Sequence, residues 1–355
     1  MNHSLLNSSF PTYRTVHDPI EPQHDYSFVG NGTANANSSW TFRSYFNLVT
    51  KVLAMITNST LVYLFIRYRS VRTPFNVYAV SLCLANLAYL LLFYPTSMYN
   101  EWRSSSSRPS QFLCVFHRFT VHGFSPVIAH SHFLIAVNRL WAVVAPISYR
   151  NYHRPDSILR PSLICLFIWV YVELFVLPTV IIDAQTPAYS SEKVHCTAKS
   201  RGPDWYVVTG MFLIYDVPLV LCLLTYPVIF AIILHNARVR LGQAASQEPT
   251  EKIPATNATT SQANTTPIKT SCYGRLRHHS GKQFFMLTLL TLNVAISLFP
   301  AQLYYSLITF GVNPSGMFTV VGTLYALGCI FDPILFIISV KTFKAAFKKM
   351  FEFRK

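Results

Sequence analysis

Residues 114–146 read CVFHRFTVHGFSPVIAHSHFLIAVNRLWAVVAP, an apolar run long enough to cross a lipid bilayer. Its only residues of the Asp, Glu, Lys and Arg types are Arg118 near the start and Arg139 near the end. Cys114 precedes Arg139 by 25 residues, which is roughly 37 Å of α-helix at 1.5 Å per residue. Because the hydrocarbon core of a bilayer is about 30 Å thick, these two residues bracket a predicted membrane-spanning helix.

Further apolar runs of similar length lie on both sides of this segment. The chain has 51% apolar, 15% aromatic and only 12% charged residues, which is too little charge for the surface of a soluble protein of 355 residues. The sequence therefore predicts an all-α membrane protein, with one domain at residues 45–340 that forms a seven-transmembrane helix bundle. The predicted helices are at 45–67, 75–97, 111–144, 158–182, 205–236, 282–309 and 314–340.

The formal net charge of +15 raises the question of nucleic-acid binding. The basic residues, however, lie mostly in alternate loops and at the C-terminal end, as in Arg67, Arg69, Arg72, Arg150, Arg154, Arg275, Arg277 and residues 341–355. Such an asymmetry is typical of the cytoplasmic side of a membrane protein. It predicts a multi-pass plasma-membrane protein with an extracellular N-terminus and a cytoplasmic C-terminus, and it excludes nucleic acid as a partner.

Residues 1–44 are predicted to form an extracellular glycosylated tail. They are rich in Ser, Asn and Pro, and they carry the Asn-x-Ser/Thr acceptor pattern at Asn2, Asn7, Asn31 and Asn37. No charged segment followed by an apolar one precedes residue 40, so we expect no cleavable signal peptide and expect the first helix to direct insertion.

Of the seven cysteines, Cys114 and Cys196 fall in the outer, oxidising half of the predicted topology. They could form a disulfide, or they could be two free thiols, since cysteine is common in membrane cores. The position of Cys114 at the outer end of the third helix and of Cys196 in the second outer loop favours the disulfide.

Seven helices alone would also fit a transporter, a channel subunit or a light-driven pump, so sequence motifs must distinguish these classes. Each predicted helix carries one: TNSTLV at 57–62, SLCLANL at 81–87, NRLWAVVAP at 138–146, Trp169, Pro218 with Tyr226, Pro300, and DPILF at 332–336. In this order and spacing they resemble the motifs of the rhodopsin-like (class A) G-protein-coupled receptors. Residues 343–347, within the segment 341–355, resemble that family's short amphipathic eighth helix, which lies on membrane lipids. The resemblance covers about residues 45–350.

The resemblance implies a receptor that transmits an extracellular signal to heterotrimeric G proteins. It assigns coupling and activation to Asn138, Arg139, Tyr226, Pro300, Asp332, Pro333 and Phe336, and a polar core to Asn58, Asn86 and Asp332. Several positions depart from the family pattern. Asn138 replaces an acid beside Arg139, Asn86 and Asp332 exchange the usual acid and amide, and Phe336 replaces a tyrosine. Leu298 replaces a tryptophan, so the aromatic switch is absent or displaced to Phe299.

The buried carboxyl group of Asp332 should be paired, hydrated or neutral, and we expect it to hydrogen-bond Asn86. With Asn138 in place of an acid, we expect the inactive state to be loosely held, which would raise ligand-free signalling. The segment 236–282 is predicted to be a disordered third cytoplasmic loop. Its serines and threonines between 246 and 271 are the expected sites for receptor kinases and arrestin.

The outer third of the bundle contains the residues of a predicted ligand pocket: Arg118, Val121, His122, Asp216, Gln302 and Tyr305. Ala326 stands where opsins carry the retinal lysine, and Val121 stands where amine receptors carry an aspartate. Retinal and biogenic amines are therefore not expected, and a peptide or another polar ligand fits this lining better. For Arg118 an alternative is a solvated arginine that reaches the membrane surface.

The rival functions are those of a transporter, an enzyme and a receptor that does not couple to G proteins. A transporter would show internal repeats and broken helices with ionisable residues at mid-membrane, and no repeat is present. An enzyme would need a nucleophile, a base and an orienting group together, and the histidines lack metal-site spacing, so no catalysis, cofactor or metal is expected. A seven-helix scavenging or chaperone-like receptor without G-protein coupling stays open because of the altered motifs.

Overall fold

The structure is a computed structural model that describes residues 42–102, 110–153, 158–185, 204–246, 270–310, 312 and 317–352. Eight main helices follow one another along the chain. They are α1 Phe42–Arg67, α2 from Pro74 to Trp102, α3 Gln111–Val144, α4 Leu159–Gln185, α5 from Asp204 to Ser246, α6 Thr270–Thr309, α7 Met317–Ser339 and α8 Lys341–Glu352. A shorter loop-two helix, Pro146–Tyr152, lies between α3 and α4.

The predicted fold class is confirmed: the chain is an all-α, seven-transmembrane helix bundle followed by the short helix α8. Within the described ranges, α1 to α5 and α7 each contain a stretch that is long and apolar enough to cross a membrane. With α6 they close a ring, in which α7 packs against both α1 and α6. Helix α3 contacts α2, α4 and α5, so it lies at the centre of the bundle.

Local sequence explains where two of these helices begin. The Thr73 hydroxyl accepts a hydrogen bond from the Asn76 amide at 3.3 Å, and Pro74 occupies the first helical position of α2. The Ser110 hydroxyl likewise accepts from the Leu113 amide at 3.2 Å at the start of α3. Such caps satisfy amide groups that have no partner within the helix.

Two helices contain a wider, π-helical turn in their outer halves. These turns are Tyr89–Phe93 in α2 and Phe212–Asp216 in α5. Each is followed within two residues by a proline, Pro95 or Pro218. Because a proline ring clashes with the carbonyl one turn earlier, the widened turn gives that carbonyl room.

Small residues allow close helix contacts at two places. A side chain on Gly328 of α7 would place its Cβ 2.5 Å from the Ser297 hydroxyl of α6, so only glycine fits there. On α3, a Cβ at Gly123 would come within 3.0 Å of a Glu173 carboxylate oxygen. Glu173 of α4 therefore faces a neighbouring helix and not only lipid.

Two boundaries differ from those predicted. The third cytoplasmic loop was expected at 236–282, but α5 continues to Ser246 and α6 begins at Thr270. Hydropathy marks only the part of a helix inside the hydrocarbon, and it does not detect polar helix ends that continue into water. Residues 247–269 lie outside the described ranges, as do residues 1–41 with Asn2, Asn7, Asn31 and Asn37, and the predictions for them stay predictions.

Helix α8 is held by the bundle as well as by its apolar face. Phe343 and Ala346 are buried, and the Asn76 side-chain amide of α2 donates to the Thr342 hydroxyl at 3.0 Å. Phe343 packs into the protein core because α8 follows α7 after a single residue and lies against α1. Phe351, by contrast, is exposed.

Candidate functional site

A polar core lies in the middle of the bundle around the buried carboxylate of Asp332 in α7. Its Oδ1 accepts from Asn293 Nδ2 of α6 at 2.7 Å, and its Oδ2 accepts from Asn86 Nδ2 of α2 at 3.3 Å. His132 Nε2 of α3 lies 3.2 Å from the same Oδ2. The expected hydrogen bond between Asn86 and Asp332 is therefore present, and the carboxylate joins four helices.

Asn58 extends the polar core to α1. Its Nδ2 donates at 2.8 Å to the Cys329 carbonyl of α7, while its Oδ1 accepts from Asn86 Nδ2 at 3.2 Å. Sequence reasoning placed Asn58, Asn86 and Asp332 together correctly. It missed His132, because α3 carries several histidines that sequence alone does not rank. It missed Asn293 too, although that residue lies seven positions, or two turns, before Pro300 and so shares its helix face.

An inner cluster, defined as Phe75, Asn138, Arg139, Tyr226 and Phe336, lies toward the end of the bundle at which α8 begins. The guanidinium carbon of Arg139 lies 3.6 Å from the ring centroid of Phe75, in cation–π contact. The Phe75 ring in turn packs on buried Phe336, with centroids 6.4 Å apart. Arg139 of α3 is thus linked to α2 and α7 through two aromatic rings.

Two polar side chains of the inner cluster are buried without hydrogen bonds to the part of the chain that the structure describes. They are the Asn138 amide, through both its oxygen and nitrogen, and the Tyr226 hydroxyl. Unsatisfied buried groups of this kind cost about 1–3 kcal/mol each. A rearrangement that gave them partners would recover that free energy.

The loop-two helix packs beside this cluster through His153. The His153 ring stacks on Tyr149 at 4.4 Å, meets Trp141 edge-on at 5.4 Å, and lies 3.4 Å from the Tyr78 hydroxyl through Nε2. Burial lowers the pKa of His153 below its usual value of 6.5. The imidazole is therefore neutral at pH 7, which suits its aromatic surroundings.

Toward the outer side, Arg118 of α3 forms an ion pair with Asp183 of α4. Arg118 Nε lies 3.0 Å from Asp183 Oδ2, and both side chains are only 3% exposed. The alternative of a solvated arginine is therefore wrong, and Arg118 is not among the residues that line the cavity described below. The last turn of α4 brings the Asp183 carboxylate beside Arg118. The sequence of α3 alone could not predict this contact.

An outer cluster of Asp216, Gln302 and Ser306 joins α5 to α6. Asp216 Oδ1 accepts from Gln302 Nε2 at 2.8 Å and from the Ser306 hydroxyl at 3.1 Å. Asp216 and Ser306 also line a cavity of about 290 Å³ between these helices. Two of the predicted pocket residues, Asp216 and Gln302, are thus in direct contact.

The other predicted pocket residues are distributed around the same level. Tyr215 of α5 lies 3.4 Å from His122 Nδ1 and 3.5 Å from the Val121 carbonyl through its hydroxyl. Tyr305 of α6 packs edge-on against Tyr304.

Sequence reasoning also missed Lys51 of α1, a buried lysine whose ammonium lies 3.0 Å from the Tyr94 ring centroid. The sequence feature that could have identified Lys51 is its position as a charged residue inside an otherwise apolar membrane span.

The structure describes only one of the two cysteines of the predicted disulfide. Cys114 is disulfide-bonded, and Cys196 lies outside the described ranges, so their pairing stays a prediction. Cys83, Cys165, Cys222 and Cys329 are buried free thiols.

Comparison with known families adds an independent observation to this geometry. Residues 57–336, well over half of the chain, match the family described as 7 transmembrane receptor (rhodopsin family). The chain belongs to the rhodopsin family of seven-transmembrane receptors. It is therefore a multi-pass membrane protein of a receptor family and not a member of an enzyme family.

Individual relatives within the rhodopsin family are distant. The chain is similar to rat (Rattus norvegicus) somatostatin receptor type 4, with 27% identity over 56% of this chain and 48% of the relative. It is similar to the human uracil nucleotide/cysteinyl leukotriene receptor, with 28% identity over 38% of this chain and 36% of the relative. It also resembles the Orycteropus afer alpha-2B adrenergic receptor, with 25% identity over 52% and 47%. The matched part spans about half or less of each curated relative.

Membership of the rhodopsin family makes the environment of Leu298 informative. Leu298 is buried in the bundle, whereas Phe299 is 42% exposed on its outer surface. The expectation that Phe299 might serve as a displaced aromatic switch is therefore wrong, because consecutive helical residues point about 100° apart. An aliphatic side chain occupies the inward position just before Pro300.

Proposed function

We propose that this rhodopsin-family receptor transmits an extracellular ligand signal to heterotrimeric G proteins. The N-terminus would lie outside the plasma membrane and the C-terminus inside. The outer cluster with the cavity beside it supports a ligand site for a peptide or another polar ligand. Receptor kinases and arrestin would act on the serines and threonines between residues 246 and 271 of the third cytoplasmic loop.

The observation that carries the coupling proposal is the inner cluster. Arg139 is half-buried against the Phe75 ring, while the Asn138 amide and Tyr226 hydroxyl beside it lack hydrogen bonds to the described residues. A partner that gave these groups hydrogen bonds would stabilise a second arrangement at the expense of the packed one. A G protein that inserts between the cytoplasmic helix ends would be that partner.

Helix α8 supports a further contact, with the inner leaflet. Lys344, Lys348 and Lys349 are exposed on it, and Lys348 lies 3.6 Å from Glu352. Exposed lysines beside an apolar helix face favour anionic lipid headgroups. We therefore propose membrane lipids as partners of α8.

The coupling proposal predicts that Arg139→Ala abolishes ligand-free G-protein activation in cells. The measurement is second-messenger output at matched surface expression, and Arg150→Ala is the control because Arg150 is an exposed arginine on the same cytoplasmic side. Equal signals above background from wild type and Arg139→Ala would argue against coupling through Arg139. Wild-type output at background would favour the scavenging or chaperone-like alternative.

A second prediction concerns Asn138. Asn138→Asp places a carboxylate beside Arg139 and should lower ligand-free signalling about two- to fivefold, since a partly exposed ion pair is worth about 0.5–1 kcal/mol. Asn138→Ala is the comparison, because it removes the unsatisfied amide without adding charge, so that any further decrease in Asn138→Asp below Asn138→Ala reports the ion pair. Ligand-free output from Asn138→Asp that matches wild type would show that the missing acid does not loosen the inactive state.

A further inference from the structure

A patch of exposed basic side chains lies where the turn between α1 and α2 meets α8. The members of this basic patch are Arg67, Arg69, Arg72, Lys341 and Lys344. Neither of the two segments that supply them, residues 67–76 and 341–351, contains an Asp or Glu. Positive charge at one side of a membrane protein is general, but two positive segments in contact with each other need a further explanation.

The side chain of Asn76 holds the two segments of the basic patch together. Its Nδ2 donates to the Val71 carbonyl at 2.6 Å and to the Thr342 hydroxyl at 3.0 Å. Asn76 and Val71 are both buried, and the turn Arg69–Val71 packs against α8. The charges are therefore fixed near one another, and a bound anion would relieve their repulsion.

Acidic side chains of the described ranges do not neutralise the basic patch. Arg69 and Lys344 form no ion pair with the part of the chain that the structure describes. The single acid of α8, Glu352, lies 3.6 Å from Lys348, which is outside the patch. Because arginine and lysine bind phosphate groups through charge-assisted hydrogen bonds, an anion with several phosphates could bridge the two segments.

An apolar crevice along α1 favours a membrane lipid as the source of that anion. The crevice has a volume of about 400 Å³ and is lined by Met55, Ile56, Ser59, Thr60, Tyr63 and Met350 of α8. Tyr63 precedes Arg67 by about one helical turn, whereas Met55 lies near the middle of the span Tyr45–Arg67. A lipid chain in the crevice therefore runs from the level of the basic patch toward the centre of the membrane, as a lipid of the leaflet on the α8 side does.

We propose that the basic patch binds the headgroup of a polyphosphorylated inositol phospholipid, with one acyl chain in the crevice between α1 and α8. One phosphate would contact Arg69 and another Lys344, so that the headgroup joins the turn to α8. Each phosphate monoester adds about −1.5 to −2 charge, more than the diester of an ordinary phospholipid carries. The inference rests on the proposed contact of α8 with membrane lipids and deepens it by naming the headgroup.

The test uses the full-length receptor, purified in detergent, and native mass spectrometry to measure lipid binding. We expect phosphatidylinositol bisphosphate to bind about tenfold more tightly than phosphatidylserine supplied at the same total negative charge. Free inositol trisphosphate has the phosphates without the chains. It should bind about tenfold more weakly than the bisphosphate lipid, because nothing then fills the crevice.

Variants separate the basic patch from the crevice. Arg69→Gln and Lys344→Gln should each weaken binding of the bisphosphate lipid about fivefold. Arg150→Gln is the matched control, since it removes an exposed arginine of the loop-two helix and should change this affinity little. Ser59→Trp fills the crevice, so it should weaken binding of the lipid and leave binding of free inositol trisphosphate unchanged.

Three outcomes would overturn the proposal. They are equal binding of phosphatidylserine at matched charge, equal losses from Arg69→Gln and Arg150→Gln, and binding of free inositol trisphosphate as tight as that of the lipid. The lipid comparison is made on wild type, so it holds even if a variant fails to fold. Equal binding of the two lipids would leave the general contact of α8 with anionic lipids standing, whereas binding of neither would remove both proposals.

Discussion

Replacing Asp332 with Ala should destabilise the bundle by about 3 kcal/mol and deplete the receptor from the cell surface. The substitution removes the acceptor shared by His132, Asn86 and Asn293, which come from three different helices. Their polar atoms would stay buried without that partner, and the loss would exceed the value of any one hydrogen bond. The measurements are the midpoint of thermal unfolding of the purified receptor and surface labelling of intact cells.

An intermediate variant and a control variant test whether the effect comes from the Asp332 carboxylate. Asp332→Asn keeps an acceptor oxygen and loses the charge, so its unfolding midpoint should lie between those of wild type and Asp332→Ala. Glu173→Gln is the control for removal of an intramembrane carboxyl group, since Glu173 is half-buried and contacts α3 at Gly123. An Asp332→Ala receptor that unfolds at the wild-type temperature would show that the polar core does not hold the helices together.

The second large effect should come from the ion pair between Arg118 and Asp183. Arg118→Ala or Asp183→Ala leaves the opposite charge buried, which costs about 3–5 kcal/mol. Each single variant should therefore lose most of its surface expression, as measured by labelling of intact cells. The double variant Arg118→Leu/Asp183→Leu should regain much of it, because two apolar side chains replace a buried pair with little penalty.

This pattern distinguishes a structural role of Arg118 from contact with a ligand. Asp216→Ala provides the comparison, since Asp216 is half-buried beside a cavity and should reach the surface at near wild-type levels. Normal expression of Arg118→Ala together with weakened ligand binding would instead return Arg118 to the ligand site. Failure of the double variant to recover would mean that the two charges do not act as a pair.

The sequence was sufficient for the fold because the bilayer imposes a single length scale on every span. The distance from Cys114 to Arg139 already matches the membrane, and the family motifs place one residue of known position in each helix. The contact between Asn86 and Asp332 could be predicted for the same reason, since both positions belong to motifs. The ends of the helices could not be predicted, because no change in hydropathy marks where α5 or α6 stops beyond the membrane.

Contacts between helices were harder to predict when only one partner lay in a motif. Arg118 could be recognised as unusual, but its partner Asp183 depends on how α4 is rotated, which α4's nearly uniform apolar sequence does not reveal. His132 was one of several histidines on α3, and only the position of α7 singles it out. Of the two alternatives for the aromatic switch, displacement to Phe299 could be excluded only from the structure, because the 100° step between neighbouring residues turns Phe299 outward.

The π-helical turn Phe212–Asp216 separates α5 into two parts that can vary independently in evolution. An extra residue in one turn rotates everything before it by about 100° relative to everything after it. Deletion of one residue there would turn Val208 and Thr209 away from the cavity and leave Tyr226 in place. Evolution could thus change the end of the bundle that holds the cavity while it conserved the opposite end, which holds the inner cluster.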